Sequence, residues 1–158
     1  MSMTHFRNLN PAHIEEVTKR ACTSPYFRLI SLRIPEITWG SSRVHLTVEE
    51  KHLQPWGRVH GAVYAALVDV AAFWAVYTQI PEGFGLTTAE LKLNYLAPIS
   101  SGELISRGKS IKVGKTLSLG EASVYDENDR LLAHGTATLI SLDSLSLEGD
   151  NPLPPKWI

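Results

Sequence analysis

One apolar segment, residues 61–80, dominates the sequence and contains a single carboxylate, that of Asp69. Alanine, valine, leucine and aromatic residues fill most of its other positions, so the segment has no polar face. A helix that is apolar all round is buried on all sides. Because a buried carboxylate without compensation is costly, we expect Asp69 to be paired, protonated or used in chemistry.

The same segment, at roughly twenty residues, is about long enough to span a bilayer. A charge at mid-span and the absence of a Lys/Arg-rich flank argue against a membrane span. The alternating pattern of the sequence that follows is typical of a sheet with one wet face. We therefore interpret residues 61–80 as the buried central helix of a soluble protein that inserts into no membrane.

Composition narrows the class of protein further. The 158 residues fit one domain, and a net charge of -1 gives no basic surface for nucleic acid. The only cysteine, Cys22, excludes an internal disulfide, so we expect a reducing, cytoplasmic location. The first residues carry no apolar run, and we expect no secretory signal.

Before the central helix, the sequence predicts one short helix and two strands. Asn10 followed by Pro11 is typical of a helix N-terminus, and apolar residues at helical spacing continue the helix to about residues 23–25. Residues 27–39 and 42–49 are predicted to be strands on either side of a turn.

After the central helix, the sequence predicts four strands and a tail. The strands cover residues 88–98, 104–113, 116–125 and 131–141, and the first places Ala89 and Leu91 on one face. The tail is rich in proline and polar residues, and we expect it to be loosely ordered. The chain thus divides into an N-terminal helix with its lead-in, a main domain and a tail, at residues 1–26, 27–142 and 143–158.

These elements predict an α+β fold. Connections from strand to turn to strand imply an antiparallel sheet, and the central helix is the one long element able to cover it. We expect an antiparallel sheet wrapped around that helix, with a short helix at the N-terminus.

Four short motifs occur in order on these elements. They are GRVHG at residues 57–61, Asp69 eight residues after Gly61, LNYLAP at residues 93–98 and VGKTL at residues 113–117. From about residue 43 to residue 141, the chain resembles the hotdog-fold acyl-CoA thioesterases, in particular the PaaI-like and 4-hydroxybenzoyl-CoA thioesterase group. The resemblance implies a hotdog fold and hydrolysis of an acyl-CoA thioester.

The resemblance also implies roles for four catalytic residues. Asp69 is the nucleophile or the general base for water, and the Gly61 N–H polarises the thioester carbonyl. Gln54 helps to hold the carbonyl or the water, and Thr88 orients the water, although the adjacent Thr87 leaves the strand register open by one residue. The chain departs from many relatives at Ala62, where they have a second glycine, and at Phe73, where some carry a hydroxyl group.

Helix geometry predicts where these groups come from. Eight residues of α-helix separate Gly61 from Asp69, a rise of about 12 Å, so one chain does not easily bring both to the same carbonyl. Two antiparallel helices side by side would do so. We therefore expect a homodimer with shared sites, in which Gln54 and Gly61 come from one chain and Asp69 and Thr88 from its partner. The sequence leaves open whether dimers pair into a tetramer.

The remaining assignments concern substrate binding. Arg58 and Lys115 are our candidates for the phosphates of coenzyme A, and His60 and Phe73 complete the predicted substrate-binding set. No metal is expected, because the histidines show no ligand spacing, and no cofactor is expected other than coenzyme A as part of the substrate.

Three alternatives stay open. Asp69 is a structural residue if it satisfies only backbone amides. A hotdog enoyl-CoA hydratase or dehydratase would need His60 as its base. A non-catalytic acyl-CoA binding protein would bind the ligand without turnover.

Overall fold

A six-stranded antiparallel sheet packs against one long helix in the computed structural model, which describes residues 7–143, 145, 147 and 151–158. The predicted α+β class is confirmed. In chain order the elements are α1 (Pro11–Thr23), α2 (Pro25–Leu29), β1 (Arg33–Thr38), β2 (Ser41–Thr47), α3 (Gly61–Tyr77), β3 (Gly85–Tyr95), β4 (Glu103–Val113), β5 (Leu117–Tyr125) and β6 (Leu131–Leu142). The strand order is β1-β2-β4-β5-β6-β3, so β1 and β3 form the two edges.

The central helix α3 lies on the sheet with most of its surface buried. It begins after His60, whose Nδ1 accepts a hydrogen bond from the Ala62 N–H, and it ends at Tyr77. The prediction that this helix is buried on every side is, however, wrong for a single chain. One stripe of α3 remains exposed or half-buried, and it consists of Gly61, Ala62, Ala65, Ala66, Asp69 and Phe73.

Close contact between α3 and the sheet depends on glycine. A Cβ atom at Gly108 in β4 would lie 2.2 Å from the Ala71 carbonyl oxygen of α3. That oxygen also accepts a hydrogen bond of 2.6 Å from the Ser42 hydroxyl in β2. The sheet therefore approaches the helix backbone more closely than side chains at Gly108 would allow.

The segment before β2 differs from the prediction. Residues 27–39 were expected to be one strand, but α2 occupies Pro25–Leu29 and β1 begins only at Arg33. Pro25 stands in the first turn of α2, where its missing N–H costs no helical hydrogen bond. A positive φ of 56° at Ser31 then reverses the chain into β1.

Strand β3 contains an irregularity that alternation alone does not predict. Its register against β6 shifts between Thr88 and Glu90, so Ala89 is an extra residue in the strand. Ala89 is exposed rather than on the face of Leu91, which corrects the prediction. The bulge lets both Thr88 and Leu91 point toward the helix side.

The described part of the tail is anchored, which corrects the expectation of loose order. Lys156 is 2% exposed, and its Nζ donates hydrogen bonds to the carbonyls of Tyr77, the last residue of α3, and of Ile80, which follows the helix. The Asn10 N–H donates to the Lys156 carbonyl at 2.9 Å. The first six residues of the predicted lead-in and positions 144, 146 and 148–150 of the tail lie outside the described residues. The three-part division of the chain stays a prediction.

Among the residues that the structure describes, no helix is both long enough and apolar enough to cross a bilayer.

Candidate active site

Asp69 lies in the middle of α3, on its partly exposed stripe. Its Oδ1 accepts a hydrogen bond of 2.7 Å from the Thr88 hydroxyl of β3. Burial raises the pKa of the Asp69 carboxyl above its usual value, and the hydrogen bond from Thr88 partly opposes that rise. No cation of the described chain forms an ion pair with it. Asp69 is therefore a carboxylate with raised basicity, and Thr88 is its single side-chain donor among the described residues.

The structure resolves the choice between the two adjacent threonines. Thr88 is half-buried and faces Asp69, whereas Thr87 is exposed on the other side of β3. The bulge at Ala89 follows directly, so Thr88 and Leu91 both face the helix side, which regular alternation would not allow.

The start of α3 presents a backbone donor. Gly61 is the first helical residue, and its N–H donates to no atom of the described residues, whereas the next N–H, that of Ala62, is satisfied by His60. The first turn of a helix also carries the positive end of the helix dipole. The N–H of Gly61 is thus available to an electron-rich atom that approaches the helix.

Gln54 lies next to this helix start, in a tight turn. Its N–H donates to the Arg58 carbonyl, its carbonyl accepts from the Gly57 N–H, and its side-chain Oε1 accepts from the Trp56 N–H. Gly57 has a φ of 74°, a conformation that favours glycine and closes the turn. The turn holds Gln54 beside the start of α3.

Two separate cavities contain the predicted catalytic residues. Gln54, Arg58 and Gly61 line a cavity of about 350 Å³ together with Tyr64 and Tyr95. Asp69 lines another cavity, of about 760 Å³. The two cavities share no lining residue. The structure brings Gln54 to Gly61 and Thr88 to Asp69, and it keeps the two pairs apart within one chain.

The four predicted substrate-binding residues do not line one common cavity. Arg58 is exposed and donates to the Ser100 hydroxyl at 2.6 Å, at the rim of the Gly61 cavity. Phe73 lines the Asp69 cavity. His60 is exposed, with Nδ1 engaged in capping α3. Lys115 is exposed in the turn between β4 and β5 and lines neither cavity.

Tyr95 is a part of the site that sequence reasoning did not single out. Its ring covers the start of α3, because a Cβ atom at Gly61 would lie 3.2 Å from three of its atoms. It packs edge-on to Tyr64, with ring centroids 6.1 Å apart. The available signal was its position in the LNYLAP motif, but strand alternation assigned it to an ordinary strand face.

No group of three or more His, Cys, Asp or Glu side chains within the described part of the chain could hold a metal ion.

Comparison with known proteins identifies the family of this chain. The family model of the thioesterase superfamily matches residues 57–133. A protein of Saccharolobus solfataricus, named as a candidate esterase, is 31% identical over 137 residues, which cover 85% of this chain and 89% of that relative. The chain belongs to the thioesterase superfamily. It is therefore a hydrolase by family, and the matched segment contains Gly61, Asp69 and Thr88 but begins after Gln54.

Further relatives confirm the hotdog fold of this thioesterase-superfamily chain. The 1,4-dihydroxy-2-naphthoyl-CoA hydrolase of Listeria monocytogenes is 29% identical over 110 residues, covering 70% of this chain and 89% of the relative. A thioesterase from Haemophilus influenzae superposes with a TM-score of 0.76 at 21% identity, covering 84% of this chain and 92% of that one. A thioesterase family protein from Silicibacter pomeroyi superposes with a TM-score of 0.75 at 25% identity, covering 82% and 98%.

Proposed function

We propose that this protein hydrolyses an acyl-CoA thioester to the free acid and coenzyme A, with Asp69 as the catalytic carboxylate. The observation that carries the proposal is the state of Asp69. It is a carboxylate of raised pKa, without an ion-pair partner among the described residues, held by one hydroxyl donor beside a cavity. A carboxylate in such surroundings is a better base than a solvated aspartate.

Each step of the reaction has a group to perform it. Asp69 takes a proton from water as the oxygen attacks the thioester carbon, and Thr88 keeps the carboxylate and water oriented. Negative charge then develops on the carbonyl oxygen, where the Gly61 N–H and the helix dipole stabilise it. Collapse of the tetrahedral intermediate breaks the C–S bond, and the proton held by Asp69 goes to the coenzyme A thiolate.

The proposed site is shared between two copies of the chain. Gly61 and Asp69 are separated by about 12 Å of helical rise and line different cavities. The exposed stripe of α3 between them carries small side chains, Ala62, Ala65 and Ala66, which allow a second helix to approach closely. An antiparallel partner would bring Asp69 and Thr88 of one chain to Gly61 and Gln54 of the other.

For coenzyme A, we assign Arg58 as the first candidate phosphate ligand. It is exposed at the rim of the Gly61 cavity, where the nucleotide of a thioester bound at Gly61 would leave the protein. Lys115 lies outside both cavities and remains the weaker candidate. The proposal includes a cytoplasmic location and no cofactor or metal.

The two rival functions fit the geometry less well. A hydratase would use His60 as its base, but His60 Nδ1 already accepts the Ala62 N–H at 3.0 Å, so protonation there would break the helix cap. A non-catalytic binder would not require a carboxylate of raised pKa beside the ligand cavity.

A screen of aliphatic and aryl acyl-CoAs tests the proposal. Wild type should release free coenzyme A from at least one class, and Asp69→Ala and Asp69→Asn should lower kcat by about 10²-fold or more while leaving the melting temperature and the oligomer unchanged. Asp129→Asn, at an exposed aspartate, is the matched control and should keep full activity. Equal rates for wild type and Asp69→Ala, or tight binding of acyl-CoA without turnover, would contradict it.

A further inference from the structure

The cavity beside Asp69 continues along α3 over an aromatic floor. Phe73, Trp74 and Tyr77 line it in succession toward the end of the helix. Trp74 and Tyr77 are 4% and 6% exposed, whereas Phe73, nearest to Asp69, is half-buried. The Trp74 ring packs edge-on to both neighbours, with centroids 5.2 Å from Phe73 and 5.1 Å from Tyr77. The floor is therefore closely packed and mostly apolar.

The N-terminal helices cover this floor. Ala21 and Thr23 of α1 line the opposite wall, followed by Pro25 and Phe27 of α2. Leu145 and Leu147, which follow β6, close the far end together with Gly85 and Leu86 of β3. The helices that precede β1 are thus a wall of the cavity that contains Asp69, beyond their packing on the sheet.

The cation that lines the cavity already has hydrogen-bond partners. Arg20 is the only cation among its described lining residues, and its Nε donates to Glu16 at 2.7 Å while its Nη2 donates to the Asn151 carbonyl at 2.6 Å. Asp69 is the only anion there. A second carboxylate in the cavity would therefore meet a like charge and no free cation.

We propose that this cavity is the acyl pocket and that it takes an uncharged, extended acyl chain of medium length. The inference rests on the proposed function, because it places the thioester carbon at Asp69. From Asp69 to Tyr77 the helix rises about 12 Å, the length of an extended chain of about eight to ten carbons. Phe73, one helical turn beyond Asp69, contacts the chain from about its third carbon onward, and Tyr77 and Leu147 lie at its end.

The pocket predicts a dependence of rate on chain length. Each methylene buried against the aromatic floor should raise kcat/KM by about threefold to fourfold. The rise should continue from butanoyl-CoA to about decanoyl-CoA and then stop, because longer chains pass Tyr77 and leave the cavity. Succinyl-CoA, which has the same length as butanoyl-CoA and a terminal carboxylate, should react at least about tenfold more slowly than butanoyl-CoA.

The test is kcat/KM for acetyl-, butanoyl-, hexanoyl-, octanoyl-, decanoyl-, hexadecanoyl-, succinyl- and phenylacetyl-CoA. It is measured on wild type, Phe73→Ala, Phe73→Leu and Tyr26→Ala. Phe73→Ala should lower kcat/KM for decanoyl-CoA by at least about tenfold but for acetyl-CoA by less than about threefold, since acetyl does not reach the ring. Phe73→Leu should restore most of the length dependence. Tyr26, on α2 but 51% exposed and outside the cavity, is the aromatic control, and its variant should match wild type.

The outcomes separate this inference from the proposed function. Hydrolysis that depends on Asp69 but is independent of chain length, or fastest with succinyl-CoA or phenylacetyl-CoA, would overturn the acyl pocket and leave the function standing. A wild-type length profile retained in Phe73→Ala would also overturn it. If no thioester is hydrolysed, the proposed function fails and the pocket assignment falls with it. The predicted profile, lost in Phe73→Ala and restored in Phe73→Leu, would support it.

Discussion

The Thr88 hydroxyl donates a hydrogen bond of 2.7 Å to Asp69 Oδ1, joining the edge strand β3 to the middle of α3. Two opposing effects meet at this carboxylate. Burial raises its pKa, and the hydrogen bond, which favours the ionised form, lowers it. Thr88 therefore sets how basic Asp69 is at a given pH, in addition to fixing its orientation.

Replacement of Thr88 by valine should move the acid limb of the pH–rate profile. If Asp69 acts as a base, kcat/KM rises with pH as its carboxyl ionises. Loss of the hydroxyl removes the effect that lowers the Asp69 pKa, so the limb should shift to higher pH, and the plateau should fall by about tenfold as water loses its orientation. The measurement is kcat/KM for one acyl-CoA from pH 4 to pH 9.

Thr88→Ser provides the control because it keeps the hydroxyl and removes only a methyl group. Its acid limb should stay close to that of wild type. A limb unchanged in Thr88→Val would show that Asp69 ionisation does not limit the rate.

The N–H of Gly61 can be removed with little disturbance of the helix. Gly61 is the first residue of α3, where proline is well tolerated, and His60 has a φ of -66° and a ψ of 140°, which suit a residue before proline. Gly61→Pro should therefore fold but lower kcat by about 10²- to 10³-fold, the usual effect of losing one oxyanion donor.

Gly61→Ala is the matched variant, since it adds the same Cβ atom near Tyr95 but keeps the N–H. It should retain most of the activity that proline abolishes, with melting temperatures recorded for both. Equal losses in the two variants would instead assign the effect to steric crowding by the Cβ atom and Tyr95.

A shared site predicts recovery of activity when two inactive chains are mixed. In a heterodimer of Asp69→Ala with Gly61→Pro, one site receives the intact Gly61 of the first chain and the intact Asp69 of the second. Random pairing of equal amounts gives about half heterodimers with one working site each, so about a quarter of wild-type kcat should return.

The control mixture combines Asp69→Ala with Thr88→Val, whose lesions fall in the same half of the proposed site. It should recover no more than the average of its two parents. The same result for the Gly61→Pro mixture would mean that each site lies within one chain.

Much of this site follows from local sequence signals. The apolar helix carries one carboxylate, that of Asp69, and a glycine eight residues before it. Because helical rise is constant, the sequence predicts both the candidate groups and the distance between them. The cap at Asn10, with its side chain accepting from the Ala12 N–H, follows equally from local preference. These features depend on neighbours within one helix, which is why the sequence reveals them.

Other features depend on contacts distant in the chain. The bulge at Ala89 is set by pairing with β6, and alternation alone predicts a regular strand there. Tyr95 reaches Gly61 only because β3 ends beside the start of α3. Proline-rich composition predicted a loose tail, but burial of Lys156 against Tyr77 outweighs that local tendency.

Lys156 should make stability depend on pH. Desolvation lowers the pKa of its ammonium group to about 8 in the folded protein, from the ordinary 10.5 of the unfolded chain. Between these values the unfolded chain binds more protons, so the free energy of unfolding should rise with pH. Wild type should gain about 2 to 3 kcal/mol relative to Lys156→Met between pH 7 and pH 10, measured by guanidinium unfolding.

The pH range of this unfolding experiment ends near pH 10 because Tyr77 also titrates above it. Burial raises the pKa of Tyr77 to about 12, so above pH 10 the unfolded chain loses that proton first and stability falls in wild type and variant alike. Lys115→Met, at an exposed lysine, should reproduce the wild-type pH dependence. A difference in the free energy of unfolding between wild type and Lys156→Met that stays constant from pH 7 to pH 10 would contradict a lowered pKa of Lys156 in the folded protein. Lys156 would then contribute to the fold through its two hydrogen bonds, to the carbonyls of Tyr77 and Ile80.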